Sequence, residues 1–79
     1  MAEQSQARNV TQLERIEHNF TYHAPKGDQA GRYEKLRSAA KELGLLIVEH
    51  TPYSREQSLA LTALEEASMW ANAAIARNE

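Results

Sequence analysis

The sequence has 79 residues, no cysteine and a formal net charge of −2. A chain this short forms one domain at most, and because it buries only about 60% of its unfolded surface alone, oligomerisation is the expected route to stability. The acidic balance argues against a duplex nucleic-acid binder, and without an apolar run of roughly 20 residues no membrane span is expected. The polar N-terminus does not resemble a signal peptide, so we expect a cytoplasmic protein.

The N-terminal part of the chain divides into two segments. Residues 1–10 lack a periodic apolar pattern, which predicts a flexible tail. Residues 11–79 are predicted to form a single all-α domain. The stretch "TQLE" at 11–14 has the spacing of a capping box, so a short helix is expected to start there. Its apolar side chains share one face: Leu13, Ile16 and Phe20.

A connector, "HAPKGD", separates this short helix from a long one. Pro25 disfavours helical backbone before it, Gly27 allows a turn, and Asp28 is a candidate N-cap. Beyond the connector, apolar positions recur with 3-4 spacing, as on a helix that packs along its full length: Tyr33, Leu36, Ala40, Leu43 and Ile47.

A second long helix follows the break at Pro52, with a capping box formed by Ser54 and Gln57. One apolar face of it contains Leu61, Leu64, Ser68, Ala71 and Ile75. An adjacent apolar face contains Leu59, Ala63, Ala67, Trp70 and Ala74. Two such faces exceed what one partner helix can cover. The predicted fold is therefore all-α: a short N-terminal helix plus a long antiparallel helical hairpin, assembled as a homo-oligomer.

The segment from Phe20 to Arg37 concentrates aromatic and basic residues. It holds four Lys or Arg residues against two acidic ones, whereas the rest of the chain is acidic. Aromatic rings stack on bases, and guanidinium and ammonium groups neutralise phosphates. The segment therefore predicts a small nucleotide-binding site with these candidate residues: Tyr22, His23, Lys26, Arg32 and Arg37.

An ordinary structural role is also open for parts of this segment. Phe20 is more typical of a core anchor than of a stacking ring, and Tyr33 begins the apolar stripe. Near the C-terminus, Arg77 suits the negative end of a helix dipole. In an oligomer, several copies of Arg77 could also converge on one anion.

The sequence contains no recognisable catalytic constellation. The three histidines, His18, His23 and His50, are scattered and match no metal-binding spacing. Adjacent glutamates at 65 and 66 are typical of a solvated helix face. We therefore expect a protein that is not an enzyme and that uses no cofactor or metal.

Three stretches resemble a family of small phage proteins: "NFTYHAPKGDQAGRYEKLR", "SREQSLALTALEEA" and "MWANAAIARNE". The resemblance spans roughly residues 16–79. The family comprises the anti-CBASS cyclic-oligonucleotide sponges, which share a helical hairpin with phage anti-Thoeris sponges. The resemblance implies a homohexamer without catalytic activity, in the cytoplasm of the infected bacterial host. Such a protein sequesters cyclic dinucleotides such as cGAMP, and cyclic trinucleotides, and so blocks activation of CBASS effectors.

The resemblance also implies roles for individual residues. Tyr22 is the candidate for an aromatic that holds cyclic dinucleotides between protomers, and either Lys26 or Arg37 is the basic partner. Arg77 with Asn78 is the candidate for a separate trinucleotide site near a symmetry axis. The alternative function is an oligomeric helical adaptor or structural phage protein with no small-molecule ligand. A toxin–antitoxin or transcriptional partner is disfavoured, because no basic recognition helix is present.

Overall fold

In the computed structural model, the backbone is described for residues 2–79 and the side chains for residues 11–79. Three α-helices follow one another: α1 (Ala2–Phe20), α2 (Gln29–His50) and α3 (Arg55–Asn78). Residues 2–79 contain no β-strand, so the all-α prediction is confirmed. Helices α2 and α3 pack against each other as an antiparallel hairpin.

Helix α1 is longer than predicted, with 19 residues. It begins at Ala2, so Thr11 and Glu14 lie inside the helix, and the capping box predicted there is wrong. The physical reason is that Ala, Gln, Glu and Arg, which dominate the preceding residues, are good helix formers. The flexibility predicted for residues 1–10 stays a prediction, because Met1 and the side chains of 2–10 lie outside the described residues.

The connector before α2 is held by a buried amide. Gly27 has a φ of 54°, the left-handed region that favours glycine, as the predicted turn requires. Asp28 occupies the N-cap position, but its side chain makes no capping hydrogen bond. Instead, Gln29 is only 7% exposed, and its Oε1 accepts a hydrogen bond of 2.9 Å from the Lys26 N–H. The Gln29 N–H donates in return to the Lys26 carbonyl at 3.0 Å.

The turn between α2 and α3 follows the predicted break at Pro52. Ser54 is the N-cap of α3, and its Oγ accepts a hydrogen bond of 3.1 Å from the Gln57 N–H. The Gln57 side chain does not reach back to Ser54. It donates to the Thr51 carbonyl at 3.1 Å, which satisfies a group at the end of α2. The capping prediction is thus confirmed for Ser54 and wrong for the partner of Gln57.

The α2–α3 contact uses one of the two apolar faces predicted for α3. The face that contains Leu61, Leu64, Ser68, Ala71 and Ile75 is buried or half-buried, and Ile75 is 8% exposed. Every residue of the adjacent face is exposed, including Trp70 at 63%. On α2, Gly44 rather than Leu43 is half-buried, and a Cβ at Gly44 would lie 3.5 Å from Leu64 Cδ2. The glycine therefore permits close approach of the two helices.

The single chain is thin and has a minimal core. Its extents are 55 × 35 × 13 Å and its radius of gyration is 17.9 Å, whereas a compact chain of this length would have about 12 Å. On α1, Leu13 is 64% exposed and Phe20 is 85% exposed, so the prediction that Phe20 anchors a core is wrong within the chain. Among the described residues, no helix is long and apolar enough to cross a membrane.

Candidate functional site

A cleft forms where the end of α1, the connector, the start of α2 and the last turns of α3 meet. Its volume is about 430 Å³. The lining residues come from all four segments: His18, Asn19, Thr21, Tyr22, His23, Tyr33, Arg37, Asn72, Ala73, Ala76 and Arg77. Four of the seven predicted site residues are among them, namely Tyr22, His23, Arg37 and Arg77. The fold thus brings residues of α1, α2 and α3 to one surface.

The cleft is basic and aromatic. Arg37 and Arg77 contribute two guanidinium groups, and none of its lining residues is acidic. Tyr22 is 84% exposed, so its ring has a free face. Tyr33 lies one helical turn before Arg37, which places both on the same side of α2. A surface with planar rings and guanidinium groups suits an anion that carries flat, stackable groups.

The two arginines of the cleft are placed differently. Arg37 is exposed and makes no ion pair within residues 11–79, so its charge is free to meet a ligand. The Arg77 guanidinium lies 6.0 Å from the centre of the Trp70 ring, within the range of a cation–π contact. That contact orients Arg77 at the C-terminal end of α3.

Two histidines that are scattered in the sequence lie side by side in the fold. The ring centres of His18 and His23 are 5.0 Å apart. His18 Nε2 donates a hydrogen bond of 2.9 Å to the Arg77 carbonyl, and His23 Nε2 donates one of 3.0 Å to the His18 carbonyl. Both imidazoles therefore carry their proton on Nε2.

The other three predicted site residues lie beside the cleft rather than in it. Lys26 lines a smaller neighbouring cleft of about 220 Å³, together with Gln29 and Glu79. Asn78 Nδ2 donates to the Ala74 carbonyl at 3.1 Å, one turn back along α3. Arg32 forms ion pairs with Asp28 and Glu79. A ligand role for these three residues stays a prediction.

The Arg32–Glu79 pair joins the start of α2 to the end of α3. Arg32 Nη1 donates to Glu79 Oε2 at 2.8 Å, and a second, shorter bond links Nη2 to Oε1. Gln29 Nε2 also donates to Glu79 Oε1, at 3.2 Å. The hydrogen bonds from Arg32 and then Gln29 lower the pKa of the Glu79 carboxyl to about 2. The same bond to Glu79 raises the pKa of Arg32 above its ordinary value.

Sequence reasoning missed five polar or aromatic lining residues: His18, Asn19, Thr21, Tyr33 and Asn72. The sequence analysis places Tyr33 mainly in packing, although its spacing from Arg37 could have signalled a shared face. No sequence pattern shows that the end of α1 meets the last turns of α3, so His18 and Asn72 could not be found. Residues 11–79 hold no His, Cys, Asp or Glu cluster suited to a metal ion.

A comparison with known families gives one match. The model described as "Acb2/Tad1, hairpin domain" matches residues 12–76. The matched range covers most of the chain and includes the second half of α1, all of α2 and α3 as far as residue 76. It also contains every residue that lines the cleft except Arg77. No curated protein and no solved structure matches the chain significantly.

Proposed function

The chain belongs to the Acb2/Tad1 hairpin-domain family, and we propose that it binds cyclic oligonucleotides and sequesters them without cleaving them. In this proposal the protein is phage-encoded and acts in the cytoplasm of the infected bacterium. It removes the cyclic nucleotide that would otherwise activate a CBASS effector. The observation that supports it best is the basic, aromatic cleft at Tyr22, Arg37 and Arg77.

The chemistry of the cleft fits a cyclic dinucleotide. Such a ligand carries two phosphodiester charges and two bases, and Arg37 offers a guanidinium group with no acidic neighbour in the cleft lining. Tyr22 and His23 supply rings on which a base can stack. A volume of about 430 Å³ also lies within the range of small-molecule sites.

We propose Arg37 rather than Lys26 as the basic partner of Tyr22. Arg37 lines the same cleft as Tyr22, whereas Lys26 faces the smaller cleft that Glu79 also lines. A carboxylate beside Lys26 competes with a phosphate for its charge. The planar guanidinium of Arg37 can also bind two phosphate oxygens at once, which a lysine cannot do.

The proposal includes a homo-oligomer, with a hexamer as the expected state and the ligand held between protomers. Its support is the apolar surface that the single chain leaves exposed. A groove of about 280 Å³ along α2 and α3 is lined almost entirely by apolar side chains, among them Leu36, Leu43 and Leu64. The exposed faces of α1 and α3 add to this surface. Burying it between copies would supply the core that one chain lacks.

A second ligand class, the cyclic trinucleotides, is proposed at Arg77. Arg77 lines the cleft together with Asn72 in the last turns of α3, and its guanidinium makes no ion pair among residues 11–79. Asn78 is a weaker candidate, because its amide already donates to the Ala74 carbonyl. Copies of Arg77 that meet around a symmetry axis would concentrate positive charge on one ligand.

Calorimetry against a panel of cyclic di- and trinucleotides tests the proposal. Tyr22→Ala should weaken binding of a cyclic dinucleotide by one to two orders of magnitude, since a stacked base is worth ~1–3 kcal/mol. The matched control is Tyr53→Ala. Tyr53 is 95% exposed and lies in the α2–α3 turn, outside the cleft. The Tyr53→Ala variant should bind the cyclic dinucleotide with wild-type affinity.

The alternative is an oligomeric helical adaptor or structural phage protein with no small ligand. That alternative predicts no heat of binding for any member of the panel. Equal affinities for Tyr22→Ala and Tyr53→Ala would instead place the ligand outside the cleft.

A further inference from the structure

The end of α1 is tied to the rest of the chain by few contacts. Its apolar face is exposed, with Leu13 at 64% and Ile16 at 54%. A hydrogen bond of 2.9 Å from His18 Nε2 to the Arg77 carbonyl joins α1 to α3. Tyr22 lies two residues beyond the end of α1, so its position depends on the hydrogen bonds that His18 and His23 make.

Each histidine donates a hydrogen bond to a carbonyl in the last turn of a helix, where no intrahelical donor is left. The last four carbonyls of an α-helix have no intrahelical donor. Arg77 lies in the last turn of α3, and its carbonyl accepts from His18. His18 lies in the last turn of α1, and its carbonyl accepts from His23. The two rings form a chain of donors that runs from the connector to α1 and on to α3.

We propose that His18 and His23 are positioning residues of the cleft, and we call them the histidine clamp. The bond from His23 to the His18 carbonyl closes the turn that contains Tyr22, and so fixes the backbone that presents its ring. The bond from His18 to the Arg77 carbonyl holds that turn against the end of α3. The clamp thus sets the distance between Tyr22 and the end of α3, where Arg77 lies.

The clamp acts before any ligand arrives. A ligand that had to gather a loose α1 end onto α3 would lose affinity to the ordering of that segment. This inference rests on the proposed function only for its effect on affinity. The hydrogen bonds themselves are a property of the free protein.

The direct test is ¹⁵N-detected NMR of the imidazoles in the free protein at about pH 8. The clamp predicts the Nε2–H tautomer for both His18 and His23, because both donate through Nε2. His50, which lies at the end of α2 and lines no part of the cleft, serves as the reference. The Nδ1–H tautomer at His18 would overturn the proposal, whatever the protein binds.

The second test measures the affinity for a cyclic dinucleotide. His18→Ala should weaken binding by about three- to tenfold, the effect of one neutral hydrogen bond. His18→Gln should restore most of this loss, because its amide can donate to the same carbonyl. His50→Ala should bind like the wild type. Unchanged affinity in His18→Ala would contradict the clamp, and so would failure of the glutamine to rescue.

These outcomes separate the two proposals. A wild-type protein that binds no cyclic nucleotide would contradict the proposed function, and the tautomer measurement would still decide the clamp. Circular dichroism and light scattering of each variant show whether it folds and assembles. If His18→Ala neither folds nor assembles, the affinity of His18→Gln relative to the wild type and the two histidine tautomers test the histidine clamp instead.

Discussion

Replacing Arg37 with alanine tests the electrostatic part of the proposed site. Arg37 is exposed in the cleft, makes no ion pair among residues 11–79 and has no acidic residue beside it in the lining. The free protein therefore loses no ion pair in this variant, and the effect should fall on ligand binding. A charge-assisted hydrogen bond is worth about 1.5–3 kcal/mol, so the affinity for a cyclic dinucleotide should fall by about 10- to 150-fold.

The assay is calorimetry with two matched controls. Arg55→Ala removes the same side chain at the opposite end of the hairpin, at the first residue of α3, and should bind like the wild type. Lys26→Ala should lose less affinity than Arg37→Ala, because Lys26 faces the neighbouring cleft. Added salt should weaken wild-type binding more than binding by Arg37→Ala, because screening acts on the charge that the variant lacks. A larger loss in Lys26→Ala than in Arg37→Ala would refute the assignment of Arg37.

Three further predictions concern stability and assembly. Because the folded-state pKa of Glu79 is lowered to about 2, its ion pair with Arg32 stabilises the fold fully above about pH 4.5, and this stabilisation is lost as the pH falls towards 2. Unfolding curves of Glu79→Gln should therefore lack this part of the acid sensitivity. Identical pH dependence in the variant and the wild type would contradict the prediction. Ile75→Ala should lower the free energy of unfolding by about 2–4 kcal/mol, because Ile75 is 8% exposed at the contact between α2 and α3. A loss under 1 kcal/mol in urea unfolding would show that this contact is not the core. Leu43 is 48% exposed in the apolar groove along α2 and α3, so Leu43→Asp should lower the mass that light scattering finds at micromolar concentration. A wild-type protein with the mass of one chain would contradict the homo-oligomer.

The hairpin could be predicted from the sequence because each signal for it is local. The break at Pro52, the N-cap at Ser54 and the 3-4 spacing of apolar residues all act over one or two helical turns. The face of α3 that contains Ile75 is buried or half-buried, and the face that contains Trp70 is exposed, although the sequence did not indicate which of the two would pack on α2. The pattern correctly separated the two faces.

The start of α1 could not be predicted in the same way. A capping box at Thr11 and a continuous helix from Ala2 are both compatible with the local residues, because polar residues such as Gln and Arg are good helix formers. Phe20 was expected in a core because large aromatics usually are. In the single chain it is 85% exposed, since α1 projects from the hairpin.

The candidate site was predicted in part. The segment from Phe20 to Arg37 indicated three residues that line the cleft, Tyr22, His23 and Arg37, because its aromatic and basic residues are close in sequence. The pairing of His18 with the Arg77 carbonyl joins residues 59 positions apart, and no local pattern encodes it. The ion pair of Arg32 with Glu79 spans 47 positions and was missed for the same reason.

We propose that the protein holds a cyclic dinucleotide and releases it unchanged. The most direct measurement loads the protein with a cyclic dinucleotide, removes the free ligand by gel filtration, denatures the protein and chromatographs the released nucleotide. Wild-type protein should yield intact cyclic dinucleotide, and Tyr22→Ala should retain much less of it. Recovery of a linear or hydrolysed product that depends on the protein would contradict it, and so would wild-type protein that retains no nucleotide.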